Sequence, residues 1–491
     1  MSTTPPSPTT RHINEKGMGM LVTALFIVGE TAGGGLIALP TAIVSTGAIT
    51  GSFLLVIAAI VCTYTGVLLA ENWTILQELW PEYRDHCRKP YPAMGLRAIG
   101  PKFAHFVSAI LQVTQFGTAV VFVLLAAKNG ENMLHANFGT HVSFCYMILI
   151  VGVLVFPFTL PKSPKDFWFA VVAAMISTTI SVILIIIGSV GDYQTCHSEV
   201  FYPPFDLTKT LMSFGTIMFA YGGHCAFPTI QHDMKKPHHF SRSVSIAFLL
   251  ILIFYLPVSI SGYYVYGSSL TDSIIPSIQN IQIQTIVNLL ITLHVALALT
   301  IIFNPLNQEF EECLNLSHDF GWQRIISRAF VMIAVVFVAE SIPNFGVLLD
   351  LVGGSTITLM ALVLPVLFNF CLVTIKRKKE NKEDEEGKLT IGEVFRNFDK
   401  FKLLVNILIL FFAIILGTAA TFSAMQTMIR SEFSAPCYAK LWNTDIALLE
   451  QQRMNSFEHG KIACCGMFRN ISSTGPEVCL GANAKTMMAH G

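Results

Sequence analysis

The sequence predicts an all-helical membrane protein: about eleven transmembrane helices, laid out as two five-helix sets with the second inverted, plus one extra helix. Three observations carry this. Hydrophobic residues make up 53% of the 491 and charged residues only 13%, about half the charged share of soluble domains. The apolar stretches recur at spanning length and lack the alternation that a membrane-crossing strand needs. Two of them, the first and the sixth, are interrupted by glycines in corresponding places. Mean hydropathy is +0.59 and the formal net charge is 0. Those values exclude a disordered chain, a small disulfide-stapled module and an ordinary soluble enzyme, and they argue against nucleic acid as a partner.

The elements follow in order. Residues 1–17 are a polar tail rich in Thr, Ser and Pro, without the apolar stretch and cleavage site of a signal peptide. The first repeat covers 18–190, with spans near 18–46, 51–70, 103–127, 142–160 and 167–190. The second covers 208–374, with spans near 208–234, 243–266, 281–303, 325–342 and 345–374. A charged linker, 375–401, leads to the eleventh helix, 402–425, and a Cys-containing tail, 426–491, follows. A cytosolic N-terminus puts 22 of the 31 Lys and Arg residues inside, while the outer loops near 190–207 and 267–280 have none. The positive-inside rule therefore places the N-terminus in the cytosol and the tail outside. The linker run KRKKENK, then EDEE, reads as a solvated cytosolic loop.

On the outer side, Cys196, Cys437, Cys464, Cys465 and Cys479 are disulfide candidates. Five is odd, so one is free or pairs with Cys145 near an outer helix end. Asn470-Ile471-Ser472 is a glycosylation sequon on the same side. Asn72-Trp73-Thr74 and Asn315-Leu316-Ser317 match the pattern on the cytosolic side and read as chance. Trp73, Trp168 and Trp322 lie near span ends and read as interfacial anchors, and Glu340 and Asp350 flank a short outer turn and read as solvated.

Function lies in the interruptions. Span one contains Gly29-Glu30-Thr31-Ala32-Gly33-Gly34-Gly35-Leu36-Ile37-Ala38-Leu39-Pro40, and span six contains Phe219-Ala220-Tyr221-Gly222-Gly223-His224-Cys225-Ala226-Phe227-Pro228. Each glycine disfavours helix by about 1 kcal/mol, and unwound backbone at membrane depth is tolerated only where it lines a cavity. A second half-helix starting near Gly34 would present free N–H groups and a partial positive charge to a carboxylate. The first half of span six, ending near Ala220, would present carbonyls to an ammonium. The natural guest is a zwitterion, held by Thr31, Ala32, Gly33, Gly34 and Gly35 with Phe219, Ala220, Tyr221 and Gly222. Tyr221 and Phe219 would wall its side-chain pocket. Paired breaks in corresponding helices of two halves point to a transporter site.

These residues resemble the amino acid/auxin permease family of secondary transporters. Its first-helix pattern is similar to Gly33 through Pro40, with Ile37 where Leu is usual, and Ala42, Gly47 and Gly51 continue it. Phe219 through His224, then Pro228, Gln231, Met234 and Pro237, resemble its sixth helix, and Asn304-Pro305-Leu306 with Glu309 or Glu311 resembles the end of its eighth. The resemblance covers roughly residues 15–430. It implies the fold of the bacterial leucine transporter and amino-acid transport, usually driven by protons. The sodium-coupled branch carries Asn where this chain has Gly29, so the resemblance speaks against sodium.

Three ionisable residues deep in the spans are candidates for proton coupling: Glu30, His224 and His294. Each also has a structural alternative, as a bonding partner of loosened backbone or of another helix. No HExxH, GxSxG or P-loop spacing occurs, so the reading includes no catalytic residue, no metal site and no cofactor beyond a coupling proton. The expected function is symport of neutral amino acids by alternating access in the plasma membrane, with amino acid and lipid bilayer as partners. The alternatives are a vesicular or lysosomal antiporter or exporter on the same fold, and an amino-acid sensor without net transport.

Overall fold

The computed structural model describes residues 14–442 apart from 16, 85–86, 141, 161–167, 198–199, 201, 317–320, 382–389 and 432–435. The first repeat comprises α1 (Met20–Thr31), α2 (Leu39–Thr46), α3 (Ala48–Leu79), α4 (Pro90–Ala98), α5 (Pro101–Phe138), α6 (Phe144–Val155) and α7 (Trp168–Cys196). The second comprises α8 (Leu207–Ala220), α9 (Phe227–His232), α10 (Phe240–Tyr266), α11 (Ile281–Cys313), α12 (Trp322–Ser341), α13 (Phe345–Val352) and α14 (Leu364–Glu380). Then come α15 (Ile391–Asn397), α16 (Lys400–Arg430) and α17 (Cys437–Trp442). Among the described residues, seven helical stretches are long and apolar enough to cross a membrane. The four other predicted spans are carried by shorter elements: α1 with α2, α6, α8 with α9, and α12.

Helix starts follow side-chain chemistry. Asp206, Asn280, Asn344 and Asp399 cap α8, α11, α13 and α16 by accepting from first-turn N–H groups that would otherwise be orphaned. Gly47, at φ +85°, makes the turn between α2 and α3 in backbone geometry that a side chain would strain. In the core, α10 packs on α1, α2, α3 and α7, while α11 packs on α5 and α7. Of the two broken spans, α1 packs on α7 and α10, α2 on α8 and α10, α8 also on α13, the π-helical turns that follow it and α16, and α9 on α3.

Span ten is wound differently from an ordinary helix. Between α13 and α14 it makes π-helical turns at 353–357 and 359–363. In that register the carbonyl of Met360 would take its hydrogen bond from residue 365, which is a proline with no N–H. The buried Tyr91 hydroxyl of α4 donates to Met360 O instead. Beside it, Asn72 Nδ2 donates to Pro365 O at 2.9 Å, and Asn369 Nδ2 to Asn72 Oδ1 at 3.0 Å. Asn72 is thus a buried helix-packing residue and no glycosylation acceptor.

Several expectations need correction. Trp73 is no interfacial anchor. It is fully buried, with Tyr83 and His232 edge-on to its ring, because the 3-10 turn at Pro81–Arg84 and α9 fold over the C-terminal end of α3. Trp322 is 79% exposed. Glu340 and Asp350 are not solvated: both are buried, Glu340 Oε2 accepting from Cys437 N at 3.0 Å and Asp350 Oδ1 accepting from the Thr216 hydroxyl. The linker is not wholly a solvated loop. It contains α15, begun by a capping box between Thr390 and Glu393, and ion pairs tie this region to the inner end of α3: Lys376–Glu78 (2.7 Å), Lys402–Glu71 (2.9 Å) and Lys378–Glu393 (2.8 Å) between α14 and α15.

Cys145 of α6 is disulfide-bonded to Cys437 of α17, which pins the start of the tail to span four. Cys196 is also disulfide-bonded. Cys464, Cys465, Cys479 and Asn470 lie outside the described residues. At the opposite end the chain before α1 pairs with the chain after α9: Asn14 N donates to Lys235 O (3.0 Å), Met18 N to Asp233 O (3.0 Å) and Lys235 N to Met18 O (2.8 Å). A methyl on Gly17 would lie 2.5 Å from Lys235 N, so only glycine allows this approach. The inner ends of the two broken spans are joined through backbone.

Two predictions follow. Tyr91→Phe strands a buried carbonyl and should cost about 1–3 kcal/mol, read as a lower thermal midpoint in detergent than that of a Tyr83→Phe control. Lys378 and the Thr390 cap hold the Glu393 carboxyl down to about 2 from its ordinary 4.5. A depressed carboxylate contributes stability above its unfolded pKa and loses it as pH falls through the folded one. Protection of the 390–397 segment from limited proteolysis should therefore persist through neutral pH and fade only as pH falls from about 4.5 toward about 2.

Candidate functional site

Span one loses its helix after Thr31. Residues Ala32–Ala38 form turns held by Gly33 N to Thr31 O (3.0 Å), Leu36 N to Gly33 O (3.1 Å) and Ala38 N to Gly35 O (3.1 Å). The Gly34 and Gly35 nitrogens donate in none of the described backbone bonds. The second half begins at Leu39, not near Gly34, because Pro40 suits a first helical turn and the glycines ahead of it settle into turns. The outer loop closes over this break, with Ile274 N donating to Ile37 O (3.0 Å) and Thr41 Oγ1 to Thr271 O (2.8 Å).

Span six breaks at the same depth. α8 stops at Ala220, Gly223–Cys225 make a single 3-10 turn, and α9 resumes at Phe227. The two breaks touch. A methyl on Gly35 would fall 2.5 Å from Ala220 Cα, and one on Gly223 would collide with Thr31 Oγ1. The outer walls are apolar. Gly34 faces Leu125 Cδ2 and Phe122 Cε1 of α5, Phe219 meets Phe122 edge-on at 6.2 Å, and Gly222 lies against Ile357 in the π-helical part of span ten. Tyr221 does not wall a side-chain pocket as expected. It is fully buried, stacks on Phe248 and donates to Leu55 O of α3 at 3.3 Å.

The three ionisable candidates differ. Glu30 sits in the last turn of α1, ahead of the break and not within it. Its Oε2 is buried without a partner among the described residues, and Cys225 of the second break lies within its electrostatic reach. His224 Nε2 is 3.0 Å from Cys62 O and 3.1 Å from Thr65 Oγ1. His294 of α11 places Nδ1 at 3.1 Å from Ala174 O and 2.9 Å from Thr178 Oγ1 of α7. A carbonyl only accepts, so Nδ1 of His294 carries its proton and Nε2 of the neutral ring is a bare lone pair. That lone pair faces Gly33, where a methyl would strike it, and it has no partner among the described residues. By the same reasoning His224 is protonated on Nε2 and keeps a bare Nδ1.

Sequence reasoning missed Tyr255 of α10. It is fully buried, and its hydroxyl is 2.7 Å from Ala220 O and 3.2 Å from Thr31 O, the carbonyls left by the ends of α8 and α1. The signal was a tyrosine in mid-span, since a hydroxyl at that depth needs a partner. Among the described residues no group of three or more His, Cys, Asp or Glu side chains could hold a metal ion.

Two interrupted helices meeting back to back at mid-membrane depth, with free peptide N–H groups on one and carbonyl ends on both, is the geometry of a transporter site. The family model described as transmembrane amino acid transporter protein matches residues 16–423. The chain belongs to that family. Among curated Arabidopsis thaliana proteins, Amino acid transporter AVT1B is 26% identical over 74% of this chain and 66% of its own length, and AVT1E is 24% identical over 82% and 72%. Amino acid transporter ANT1 is 21% identical over 82% of this chain and 95% of its own. Among solved structures, Mhp1, a nucleobase-cation-symport-1 family transporter in a closed conformation, aligns with a TM-score of 0.52 at 11% identity, over 87% of this chain and 96% of that one. That likeness concerns the fold alone, and it is the leucine-transporter fold that the resemblance implied.

The two breaks discriminate between glycines. Gly35→Ala meets backbone and forces the broken helices apart, whereas the neighbours of Gly34 are the far ends of flexible side chains. Overpacking of this kind costs about 1–3 kcal/mol, roughly one to two orders of magnitude in a binding constant. Gly35→Ala should lose binding by that factor, measured by equilibrium binding of radiolabelled amino acid to purified protein, while Gly34→Ala stays within about threefold of the parent.

Proposed function

We propose that this family member is a proton-coupled symporter of small neutral amino acids that works by alternating access. The observation that supports this reading best is the bare Nε2 of His294 facing Gly33 inside the first break. The substrate carboxylate would take the free Gly34 and Gly35 N–H groups, and its ammonium the carbonyl ends of α1 and α8. The apolar walls, Phe122, Leu125 and Phe219, leave no charged partner for a substrate side chain, which favours small neutral ones.

Coupling follows from charge. A proton on Nε2 turns His294 into a cation at the edge of the carboxylate's binding place, so proton and substrate favour each other's binding and are carried together. Glu30 and His224, with a bare oxygen and a bare nitrogen at the two breaks, would pass the proton toward the inner side. The positive-inside pattern supports a cytosolic N-terminus, and the plasma membrane is the compartment in which we propose this activity.

The test is uptake into proteoliposomes under an inward proton gradient. A competition panel of the common amino acids names the substrate. His294→Gln, which keeps a polar group but cannot carry a charge, should lose the roughly tenfold or greater stimulation by the gradient while retaining gradient-independent exchange. Uptake that ignores pH and vanishes without sodium would refute proton coupling, and gradient-driven uptake unchanged in His294→Gln would remove this residue from it.

A further inference from the structure

α1 reaches the centre from one side of the membrane and α8 from the other, and both arrive with their C-terminal ends. Each end carries about half a negative charge. The carbonyls of Thr31 and Ala220 lie within hydrogen-bond distance of one and the same atom, the Tyr255 hydroxyl oxygen. Two converging helix ends of this kind are where coupling cations bind in transporters with broken helices. No lysine or arginine occurs in residues 18–83, 210–234 or 243–323. Lys209 lies in the first turn of α8 and Arg242 in the first turn of α10, each more than ten residues, roughly 16 Å or more along the helix, from Ala220 and Tyr255. The neighbouring phenol, Tyr221, is turned to Leu55 and does not compete.

We infer that the Tyr255 phenol stands in for a metal cation at the meeting point of the two helix ends, so that no alkali-metal ion is needed there. Its one proton is shared between two acceptors, at 2.7 Å from Ala220 O and 3.2 Å from Thr31 O. It neutralises part of their charge and keeps them aimed at a common point. Thr31 O also accepts from Gly33 N, whereas Ala220 O retains a second lone pair, which is what a substrate ammonium would use. Tyr255 is in this sense a positioning residue: it acts on the amine through the Ala220 carbonyl. The inference rests on the transporter reading for the substrate's part, but the claim about cations stands on the fold alone.

Removing the hydroxyl leaves two carbonyl ends facing each other with nothing between them. Tyr255→Phe should therefore acquire an alkali-metal site. The full-length protein is purified in detergent and its thermal unfolding followed in NaCl, LiCl and choline chloride at equal ionic strength. The parent should unfold at one temperature in all three. The variant should be destabilised in choline and shifted upward by several degrees in Na+ or Li+, saturably, as a specific ligand does. In proteoliposomes, parent uptake should be unchanged when choline replaces sodium, while variant uptake should be about tenfold higher with sodium, through a lower KM for amino acid. 4-Aminophenylalanine at position 255, which keeps a donor in the same place, should restore indifference to sodium. A variant that is equally impaired in all three salts overturns the inference, as does one indistinguishable from the parent. Failure to fold even in Na+ or Li+ overturns it too, because the cation should have replaced the phenol. If the parent takes up no amino acid at all, the transporter reading fails and the unfolding measurements still decide the cation claim.

Discussion

Everything in this molecule follows from one constraint: at membrane depth a peptide group without a hydrogen-bond partner costs several kcal/mol. A continuous helix satisfies its own backbone, so an interrupted one must borrow partners. The second half of the first break borrows one from the 271–274 loop, whose Ile274 N donates to Ile37 O. The carbonyl ends of α1 and α8 borrow the Tyr255 hydroxyl. Span ten, which gives up α-helical winding opposite the second break and then meets a proline, borrows Tyr91 and Asn72. What is left over after this borrowing includes the peptide nitrogens of Gly34 and Gly35 in the first break and a carbonyl lone pair of Ala220 in the second.

The same constraint explains which helices surround the site. Several of the partners come from α3, α10 and α11, which are long helices, although α10 and α11 each contain an internal proline. They contribute single polar side chains at the right depth: Asn72 and Thr65 from α3, Tyr255 from α10, His294 from α11. Each is buried among apolar neighbours and tied to backbone or to a neighbouring hydroxyl. The exposed ion pairs at the inner surface, such as Lys376–Glu78 and Lys402–Glu71, contribute little by comparison. The buried pair of Glu311 with Arg328 at 2.7 Å, which joins α11 to α12, is different, because removing either partner would leave a charge in a dry place.

Much of the fold was legible in the residues because lipid makes backbone satisfaction a matter of length and hydropathy, and because glycine and proline mark where it fails. The runs at Gly33–Gly35 and Gly222–Gly223 located both breaks. The restart of span one at Leu39 was misplaced because three glycines in a row say that helix stops and do not say where it resumes; Pro40, at the first turn of α2, was the better marker. Asp350 was misjudged as solvated because its partner, Thr216, belongs to a helix more than a hundred residues earlier in the chain. The roles of Tyr255 and Tyr91 depend on where a hydroxyl points in three dimensions, and helical periodicity carries no such information. The α15 capping box at Thr390 and Glu393 was readable and was hidden only by the charge run around it.

The glycines at the breaks pack the two spans together, and the same lack of a side chain leaves backbone uncovered. Gly35 has no side chain, so Ala220 can sit against its backbone, and Gly223 likewise admits Thr31. That contact brings the two helix ends together; it also leaves the peptide nitrogens of Gly34 and Gly35 uncovered by any side chain of their own. A substrate that bridges the N–H groups of one break and the carbonyls of the other spans a contact between two bodies. Its affinity therefore depends on their relative position, and a change in that position changes the affinity. At the far end from the 271–274 loop, Asn14 and Met18 pair with Asp233 and Lys235 and hold the same two spans together by three backbone bonds. The contact between the two broken spans is thus tied by the 271–274 loop near the first break and by a backbone strap at the far end of both, and the two ties differ in kind: one joins a loop to the restart of a helix, the other joins two chain segments that flank helices.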